Sequence, residues 1–514
     1  MSLRRTLGGW LAILALAACT GVPAAGPAAT ANEAATATRF EAAKRRPAEL
    51  PAFLRAMPKG GDLHNHLSGT VYSENFIAWA IADGLCLIVA EHTIAPPPCD
   101  AAAGRPPIAD AVQSGTAYNR LVDALSMRNY ALGAVSGHNQ FFATFGRFGA
   151  AENGRDGDML AEAMARAADQ NIGYLELMLS PGMAAARRLG AEVGWDDDLA
   201  RLHRRLIAAG LPAVVAQTRE EFGAIESRAR AILDCAGAHP PACDVTVRFL
   251  AQVIRVFPPE QVFAQTALAF ALVETDPRIV GLNFVAPEDD RVSLRDYRLH
   301  MRMIGALAKQ TPGVPVTLHA GELTLGLVPP EDLRFHIRDA IETAGARRIG
   351  HGVDILYEDR PYQLLRRMAE DQVAVEINLT SNDVILGVTG KAHPFETYRA
   401  YGVPLTLSTD DEGVSRIDLT HEYVRATVTY DLGYGDVKAL SRNALTYAFL
   451  AGTSLWQDSR TFRPVRACAD DPLGSRTPST ACAGFLRASE KATAQWRLEE
   501  AFTAFETDMA TGTP

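Results

Sequence analysis

The chain has 514 residues, of which 48% are hydrophobic and 21% are charged, and its formal net charge is −10. This length is enough to bury one large hydrophobic core or two ordinary ones. The acidic balance and the absence of a long basic run exclude the electrostatic footprint of a nucleic-acid-binding protein, so we expect no nucleic-acid partner.

The N-terminal residues have the three-part layout of an export signal. Arg4 and Arg5 precede an apolar run over residues 7–18, which is too short for a permanent membrane-spanning helix. The run ends in LAAC, which is similar to a bacterial lipobox. This pattern predicts a lipoprotein signal peptide over residues 1–18 and a lipidated Cys19, with ordinary signal cleavage nearby as the alternative.

Two further expectations follow from the lipobox. Thr20 stands where Gram-negative lipoproteins retained at the inner membrane carry Asp, so by that resemblance we expect an exported protein that is anchored to the outer membrane or is periplasmic. The lipid would be its only membrane contact. Residues 19–45 are rich in Ala, Pro, Gly and Thr, which predicts a flexible tether between the anchor and the folded domain.

Eight short apolar runs recur along the rest of the chain, and most are followed by a stretch with helical spacing. The runs occupy residues 62–67, 171–180, 245–254, 279–286, 315–322, 348–355, 373–382 and 403–411. Strands that alternate with helices predict a parallel sheet, and eight such strands predict a closed (β/α)8 barrel of the TIM type. The third run also fits a helix.

The chain is longer than an ordinary barrel of ~250 residues. The surplus lies in residues 83–130, in the loop at 235–243 and in the tail 455–514, and each of these segments contains two cysteines. Six cysteines allow fifteen pairings, and proximity in an oxidising compartment favours three local disulfides. The candidate pairs are Cys86 with Cys99, Cys235 with Cys243, and Cys468 with Cys482. We predict one domain over residues 46–514, with an insertion near 83–130 and an extension near 455–514.

Histidines and acidic residues stand at the C-terminal ends of four predicted strands, where barrel enzymes hold their active sites. They are His64 and His66 on the first strand, His319 and Glu322 on the fifth, His351 on the sixth, and Asp410 and Asp411 on the eighth. Imidazole nitrogen and carboxylate oxygen are the ligands of a catalytic zinc, which keeps one position open for water. We therefore predict one Zn²⁺ per chain, held by His64, His66, His319 and Asp410.

Each of these residues also has a structural explanation. A histidine at a strand end is commonly a satisfied polar residue, the GHG sequence around His351 fits a turn, and Asp411 could cap a helix. Because four separate strand ends carry His or Asp, the sequence favours a shared metal site. Glu322 is then placed to shuttle protons, His351 to orient and deprotonate the attacking water, and Asp411 to bind substrate.

Five stretches resemble the motif series of the adenosine deaminase family, within the metal-dependent amidohydrolase superfamily. They are MPKGGDLHNHLSG, VTLHAGE, RIGHGVDI, SNDVILG and LTLSTDDEG, and they are most similar to the secreted adenosine-deaminase-related growth factor branch. The resemblance covers residues 58–443. It implies a (β/α)8 barrel with one zinc ion and a small-molecule purine nucleoside as substrate. Water would add to C6 of the purine and ammonia would leave, giving an inosine-type product.

The same resemblance implies a role for each candidate residue. The zinc ligands would be His64, His66, His319 and Asp410. Glu322 matches the acid that protonates the purine nitrogen N1, His351 matches the histidine beside the attacking water, and Asp411 matches the residue that faces N7.

Two candidate substrate-binding positions depart from the family pattern. Ser68 stands where the family commonly carries an Asp for the ribose 5′-hydroxyl, and a hydroxyl binds sugar more weakly than a carboxylate does. Ala286 stands at a glycine whose backbone N–H meets N3. The short segment 83–130 stands where growth-factor-type members carry a receptor-binding insertion, and a receptor role is not supported.

Two other classes of protein stay open. One is a different amidohydrolase, such as a deaminase of another aminopurine or a binuclear dipeptidase-like enzyme, in which Glu176 would help to hold a second metal ion. The other is a non-enzymatic surface lipoprotein that keeps the barrel. The oligomeric state is open as well, a homodimer included.

Overall fold

The computed structural model describes residues 30–512, so the predicted signal peptide and Cys19 lie outside the described residues. The described strands are β1 (Gly61–His66), β2 (Cys86–Ile88), β3 (Thr93–Ala95), β4 (Tyr174–Leu179), β5 (Thr246–Ile254), β6 (Ile279–Val285), β7 (Thr317–Ala320), β8 (Arg348–His351), β9 (Ala374–Ile377), β10 (Leu405–Leu407), β11 (Trp456–Asp458) and β12 (Arg463–Pro464).

The α-helices over the same residues are α1 (Ala31–Lys44), α2 (Leu50–Ala56), α3 (Leu67–Thr70), α4 (Ser73–Ala82), α5 (Ile108–Ala111), α6 (Gly115–Ala124), α7 (Gly137–Glu152), α8 (Asp156–Asp169), α9 (Met183–Val193), α10 (Leu199–Ala209), α11 (Leu211–Ile232), α12 (Pro259–Thr275), α13 (Arg291–Gln310), α14 (His336–Glu342), α15 (Pro361–Asp371), α16 (Leu379–Leu386), α17 (Phe395–Tyr401), α18 (Glu412–Ser415), α19 (Leu419–Tyr430), α20 (Tyr434–Tyr447), α21 (Thr480–Arg487) and α22 (Glu490–Thr511). Short 3-10 turns occupy Tyr130–Leu132, Pro241–Asp244, Ile355–Tyr357, Gly390–Ala392 and Arg466–Cys468.

Eight parallel strands form the barrel as two half-sheets. The first has the order β1-β4-β5-β6 and the second the order β7-β8-β9-β10. Two isolated parallel bridges join the halves, Asn65 with Asp410 at the β1–β10 seam and Leu282 with Val316 at the β6–β7 seam. The predicted (β/α)8 barrel is confirmed, and the third apolar run is a strand.

Helix α15 illustrates how the sequence builds the outer layer. Pro361 occupies the start of the helix, where its missing N–H costs no hydrogen bond. Leu364, Leu365 and Met368 are buried and recur with helical spacing, so one stripe of the helix faces the barrel. The helix ends at Gln372, whose φ of 55° is left-handed.

The structure differs from the sequence-based expectation in two segments. Residues 31–44 of the predicted tether form helix α1, because their alanine content favours a helix and Thr30 caps it by accepting from the Glu33 N–H. Phe40 of this helix is fully buried. The predicted strand over 373–382 ends at Ile377, and the next residues turn into helix α16.

The surplus segments form small appendages to the barrel. Residues 83–130 contain the antiparallel hairpin β2–β3, and the C-terminal tail contains the antiparallel pair β11–β12 and two helices. All three predicted disulfides are present: Cys86–Cys99, Cys235–Cys243 and Cys468–Cys482. None of them joins two barrel strands. Within residues 30–512, no helix is both long and apolar enough to span a membrane.

Candidate active site

Four of the predicted site residues meet at the C-terminal end of the barrel. His64 and His66 belong to β1, His319 belongs to β7, and Asp410 follows β10. His319 Nε2 lies 3.1 Å from His64 Nε2 and 3.2 Å from His66 Nε2. Asp410 Oδ1 lies 3.4 Å and 3.3 Å from the same two nitrogen atoms. The structure therefore brings together the four residues that the sequence proposed as zinc ligands.

The other ring nitrogen of each of the three histidines, Nδ1, faces a hydrogen-bond acceptor. The position of the ring proton decides whether Nε2 is free to bind a cation. The pairs are His64 Nδ1 with Glu376 Oε2 at 2.7 Å, His66 Nδ1 with Gln252 Oε1 at 3.1 Å, and His319 Nδ1 with Asn283 Oδ1 at 2.9 Å. Each Nδ1 therefore carries the proton, and each Nε2 presents a lone pair to the same point. Three lone pairs and a carboxylate at this spacing suit a cation with the preferences of Zn²⁺.

Two of the four candidate ligands, Asp410 and His319, have pKa shifts that favour the charge states that metal binding needs. Burial opposes ionisation of Asp410, yet the close contacts with His64 and His66 hold the pKa of its carboxyl well below the ordinary value. Burial and the neighbouring imidazoles hold the pKa of His319 well below its ordinary value. Asp410 is thus anionic and His319 is neutral, as metal ligands must be.

Two local features of the backbone allow this arrangement. A Cβ on Gly350 would lie 2.5 Å from Cε1 of His64, so the ring needs a glycine beside it. Asp410 has a left-handed φ of 62°, a conformation that Asp tolerates better than most residues do. Its N–H donates to the His64 carbonyl at 2.9 Å, and its carbonyl accepts from the His66 N–H at 2.8 Å.

A buried ionic chain runs from His64 into the barrel interior. Arg348 donates to the carboxylates of both Glu376 and Glu176, and all three side chains are almost completely buried. Burial opposes ionisation of Glu376, but Arg348 and His64 lower the pKa of its carboxyl to about 2. Glu176 also accepts from Tyr174 Oη at 2.7 Å and is not near the ligand atoms, which removes it as a metal bridge.

Glu322 lies on the loop after β7, and a second carboxylate holds that loop in place. Glu288 accepts from the Gly321 N–H at 3.0 Å and from the Glu322 N–H at 2.8 Å, and it lies 2.5 Å from His336 Nδ1. Burial, together with the charges of Asp410 and Glu288, holds the pKa of the Glu322 carboxyl well above its ordinary value. Burial and these charges therefore favour the protonated form of Glu322.

His351 adjoins both the ligand group and Glu322. Its Nε2 lies 3.8 Å from Asp410 Oδ2, and its Nδ1 lies 3.5 Å from Glu322 Oε1 and 2.8 Å from Asn382 Nδ2. The residue has a left-handed φ of 71°, which is uncommon outside glycine and is typical of strained functional positions. Over the described part of the chain, its Nε2 has no hydrogen-bond partner.

Asp411 is buried beside the ligand group and faces a cavity. Within the structure as described, its Oδ1 has no partner. A Cβ on Gly69 would lie 1.6 Å from that atom, so the absence of a side chain at Gly69 makes room for the carboxyl. Burial and the charge of Asp410 hold the pKa of Asp411 well above its ordinary value, so this group can donate a hydrogen bond to substrate.

The cavity beside the ligand group has a volume of about 420 Å³. His66, His319, Glu322, Asp410 and Asp411 line its floor. The aromatic side chains Phe141, Phe142 and Phe145 of α7 form one wall, which suits the flat face of a heterocycle.

The two proposed sugar and base contacts line the same cavity. Ser68 is half-buried in the short helix α3. Ala286 has a φ of 84°, a left-handed value that glycine adopts freely and alanine adopts only with strain. Arg255 Nε donates to the Ala286 carbonyl at 3.0 Å and so helps to hold this conformation.

Several residues that position the site were absent from the sequence-based list. They are Gln252, Asn283, Glu288, Glu376 and Asn382. Three of them interrupt apolar strands, and Gln252 and Asn283 are register partners on β5 and β6. A polar residue within an apolar strand is the signal that could have revealed them in the sequence, because a buried polar group needs a hydrogen-bond partner in the interior.

Comparisons with known proteins agree with this geometry. The family model of adenosine deaminases matches residues 157–454. The adenosine deaminase of Clostridium perfringens is 30% identical over 181 residues, which cover 35% of this chain and 51% of the relative. The adenosine deaminase of Escherichia coli is 38% identical over 140 residues, 27% of this chain and 39% of the relative. The matched segments thus span about half, or less, of these relatives.

Two solved structures share the fold. The N6-methyl-AMP deaminase of Arabidopsis thaliana superposes with a TM-score of 0.52 at 18% identity, over 78% of this chain and 94% of that chain. An amidohydrolase of Burkholderia ambifaria with bound Zn superposes with a TM-score of 0.51 at 16% identity, over 95% and 98% of the two chains.

The fold is a (β/α)8 barrel, and the site is a candidate metal-binding group of three histidines and one aspartate at the C-terminal ends of its strands. The family match extends over more than half of the chain, from the second barrel strand to beyond the last. The chain belongs to the adenosine deaminase family.

Proposed function

We propose that the protein hydrolytically deaminates adenosine or a related 6-aminopurine nucleoside, giving the inosine-type product and ammonia. The observation that carries this proposal is the position of the buried Glu322 carboxyl, whose pKa is raised, in a cavity that is also lined by His66, His319 and Asp410 of the candidate ligand group. One Zn²⁺ per chain, held by those four residues, would lower the pKa of a water molecule and so make it a nucleophile at neutral pH.

Glu322 supplies the proton that the reaction needs on the purine. Attack at C6 makes that carbon tetrahedral and places negative charge on the ring nitrogen N1. Because its raised pKa favours the protonated form, Glu322 can give a proton to N1 as the charge develops. An ionised glutamate at this place would instead repel the developing charge.

The remaining cavity residues fix the orientation of the base. Asp411, protonated and without a partner on Oδ1 among residues 30–512, donates a hydrogen bond to N7. The phenylalanines of α7 pack on the face of the ring, and the backbone N–H of Ala286 is available to N3. Ser68 offers a neutral hydroxyl to the sugar.

The charges around the cavity favour a nucleoside over a nucleotide. None of the described residues that line the cavity is Lys or Arg, the side chains that usually bind phosphate. An adjoining cavity shares Ser68 and Gln252 with it and contains Glu152, Asp156 and Glu221, again without a cation. A 5′-phosphate directed there would meet carboxylates. By its name, the Arabidopsis neighbour acts on a nucleotide, so this chain would differ from it.

The test is a measurement of ammonia release by zinc-loaded protein from adenosine, 2′-deoxyadenosine, adenine, adenosine monophosphate and N6-substituted purines, together with metal analysis. We expect one zinc per chain and turnover of nucleosides, with adenosine monophosphate much poorer. No ammonia from any purine would refute the deaminase proposal. Two metals per chain and cleavage of dipeptides would establish the binuclear alternative instead.

We also propose that the protein is exported and held at a membrane by a lipid on Cys19. The LAAC sequence and the preceding apolar run support this proposal. Helix α1 begins at Ala31, so eleven residues separate Cys19 from the folded domain.

A further inference from the structure

We infer that Asn382 and His393 fix the tautomer of His351, so that the ring proton stands on Nε2 and faces the reaction centre. His351 then directs the attacking water as a hydrogen-bond donor and does not remove its proton. Asn382 and His393 are positioning residues, since they act only through His351. The catalytic role of His351 rests on the proposed deamination, whereas the assignment of its tautomer rests on the hydrogen bonds alone.

The chain of hydrogen bonds begins at a group that can only donate. The backbone N–H of Phe395 points to His393 Nδ1 at 3.2 Å, so that nitrogen must be the acceptor. His393 is buried, and this burial, with the nearby charge of Arg425, lowers its pKa to about 4. A neutral imidazole that accepts at Nδ1 carries its proton on Nε2.

That proton determines which way the amide of Asn382 is turned. His393 Nε2 lies 3.1 Å from Asn382 Oδ1, so the amide oxygen accepts and the amide nitrogen points away. The nitrogen Nδ2 lies 2.8 Å from His351 Nδ1. If the amide were reversed, its NH₂ group would face the Nε2–H of His393, and two donors would then be in contact.

An amide nitrogen donates, so His351 Nδ1 accepts and the proton of this imidazole lies on Nε2. A second amide nitrogen, Asn378 Nδ2, also faces Nδ1, at 3.5 Å. Glu322 Oε1, on a carboxyl whose raised pKa favours the protonated form, lies 3.5 Å from the same atom. On the other side, the Nε2–H faces Asp410 Oδ2 at 3.8 Å. Every neighbour of the ring is consistent with this one tautomer.

The consequence is a different assignment of roles from the one that the sequence suggested. Nε2 has no lone pair with which to accept a proton from water, whereas its N–H can bind a lone pair of the water oxygen and aim the other at C6. The protons still balance without His351. One water proton replaces the one that Glu322 gives to N1, and the other departs with the amino group as ammonia.

Asn382→Asp separates the two roles because they predict opposite results. A carboxylate at position 382 would draw the proton of His351 to Nδ1 and leave Nε2 as an acceptor. If His351 donates, kcat should fall by about 10²–10⁴-fold, as expected for a wrong tautomer, with zinc content and KM little changed. If His351 were the base, the carboxylate would raise its basicity, and an unchanged or higher kcat would overturn the inference.

Asp383→Asn is the matched control. It exchanges the same two functional groups one residue further along α16, but Asp383 pairs with Arg425 and does not contact His351. This variant should keep the kcat of the wild type. A loss equal to that of Asn382→Asp would mean that the helix, and not the tautomer, is responsible, and would overturn the inference.

A direct measurement covers the case in which Asn382→Asp does not fold. Neutron diffraction from zinc-loaded wild-type crystals in D₂O locates the deuterium on each ring. Deuterium on Nε2 and none on Nδ1 of His351 supports the inference, and deuterium on Nδ1 overturns it. This readout does not depend on turnover, so absence of deaminase activity would refute the proposed function while leaving the tautomer assignment testable.

Discussion

Glu376 Oε2 lies 2.7 Å from His64 Nδ1 at a point where neither side chain reaches solvent. The other carboxylate oxygen of Glu376 accepts from Arg348 and from Thr317 Oγ1. This arrangement keeps Glu376 ionised, fixes the proton of His64 on Nδ1 and turns the lone pair of Nε2 toward the other ligand atoms. The proposed zinc site is therefore organised from inside the barrel as well as by its ligands.

Glu376→Gln should weaken zinc binding by about 10–100-fold, because the amide removes the charge that holds His64 in its ligand tautomer. Competition with a chelator of known affinity measures this change without any activity assay. Glu176→Gln is the matched control, since it also loses a buried partner of Arg348 but does not contact His64. We expect it to lower the melting temperature and to leave zinc affinity unchanged. Equal zinc affinities in all three proteins would contradict the role of Glu376.

Glu322→Gln should retain zinc and lose about 10²–10⁴-fold in kcat, the contribution expected of one general acid. The pH dependence of the wild type has a definite sign. Glu322 acts in its protonated form and its pKa is raised, so kcat/KM should stay high through neutral pH and fall as the pH rises through that pKa. Stopped assays of ammonia release across the pH range give this profile. Near-normal turnover by the Gln variant would rule out the proton-donor role.

Glu288→Gln should reduce kcat by about 10²-fold, because it loosens the two N–H contacts that place Glu322 and a small misplacement of a catalytic group is costly. It also removes a negative neighbour of Glu322, so the falling limb of the pH profile should move to lower pH. Asp354→Asn is the control. Its carboxyl is buried in the same region and lacks a partner among the residues described, and burial raises its pKa well above the ordinary value, so the amide changes neither charge nor contacts. Identical pH profiles in both variants would contradict the assignment.

Gly69→Ala should lower kcat/KM for a purine nucleoside roughly tenfold, the loss expected for one hydrogen bond, because the new Cβ would displace Asp411. Asp411→Ala, which removes the hydrogen-bond donor, tests the same contact from the other side. With a 7-deazapurine nucleoside, which lacks N7, neither substitution should matter. The kcat/KM ratio of the two substrates, measured for each variant, isolates the N7 contact. A tenfold loss that persists with the 7-deaza substrate would show that Asp411 acts elsewhere.

Cys19→Ser should release the protein from the membrane fraction while leaving its deaminase activity intact, since the residue precedes the folded domain. Metabolic labelling with a radioactive fatty acid, followed by fractionation, measures both lipid attachment and location. Cys86→Ser is a useful comparison because it removes a different cysteine, inside the insertion. Lipid attachment that survives Cys19→Ser would exclude the lipobox interpretation.

The sequence was most informative about features that depend only on where a residue lies along its strand or along the chain. His64, His319 and Asp410 stand at strand ends, and a parallel barrel brings all strand ends to one rim, so the ligand group follows from topology alone. The local disulfides, such as Cys235–Cys243, followed from proximity in the chain.

The partners behind the ligands could not be found in that way. Glu376 and His64 are 312 residues apart, and their meeting depends on strand register and on the missing side chain of Gly350. The direction of the Asn382 amide depends on His393, eleven residues further along the chain, and on the Phe395 N–H that donates to His393 Nδ1. No periodicity in the sequence encodes these contacts. The tether failed as a prediction over α1 because composition does not reveal whether a helix finds a surface to cover.

The two half-sheets of the barrel contribute the ligand atoms in equal numbers. His64 and His66 come from the half that contains β1, whereas His319 and Asp410 come from the half that contains β7 and β10. Within residues 30–512, one isolated β-bridge forms at each seam between the halves. A bound ion would thus hold the two half-sheets together across both seams. Removal of the ion should increase the motion of the two half-sheets relative to each other. The apoprotein would then be more mobile throughout the barrel as well as inactive.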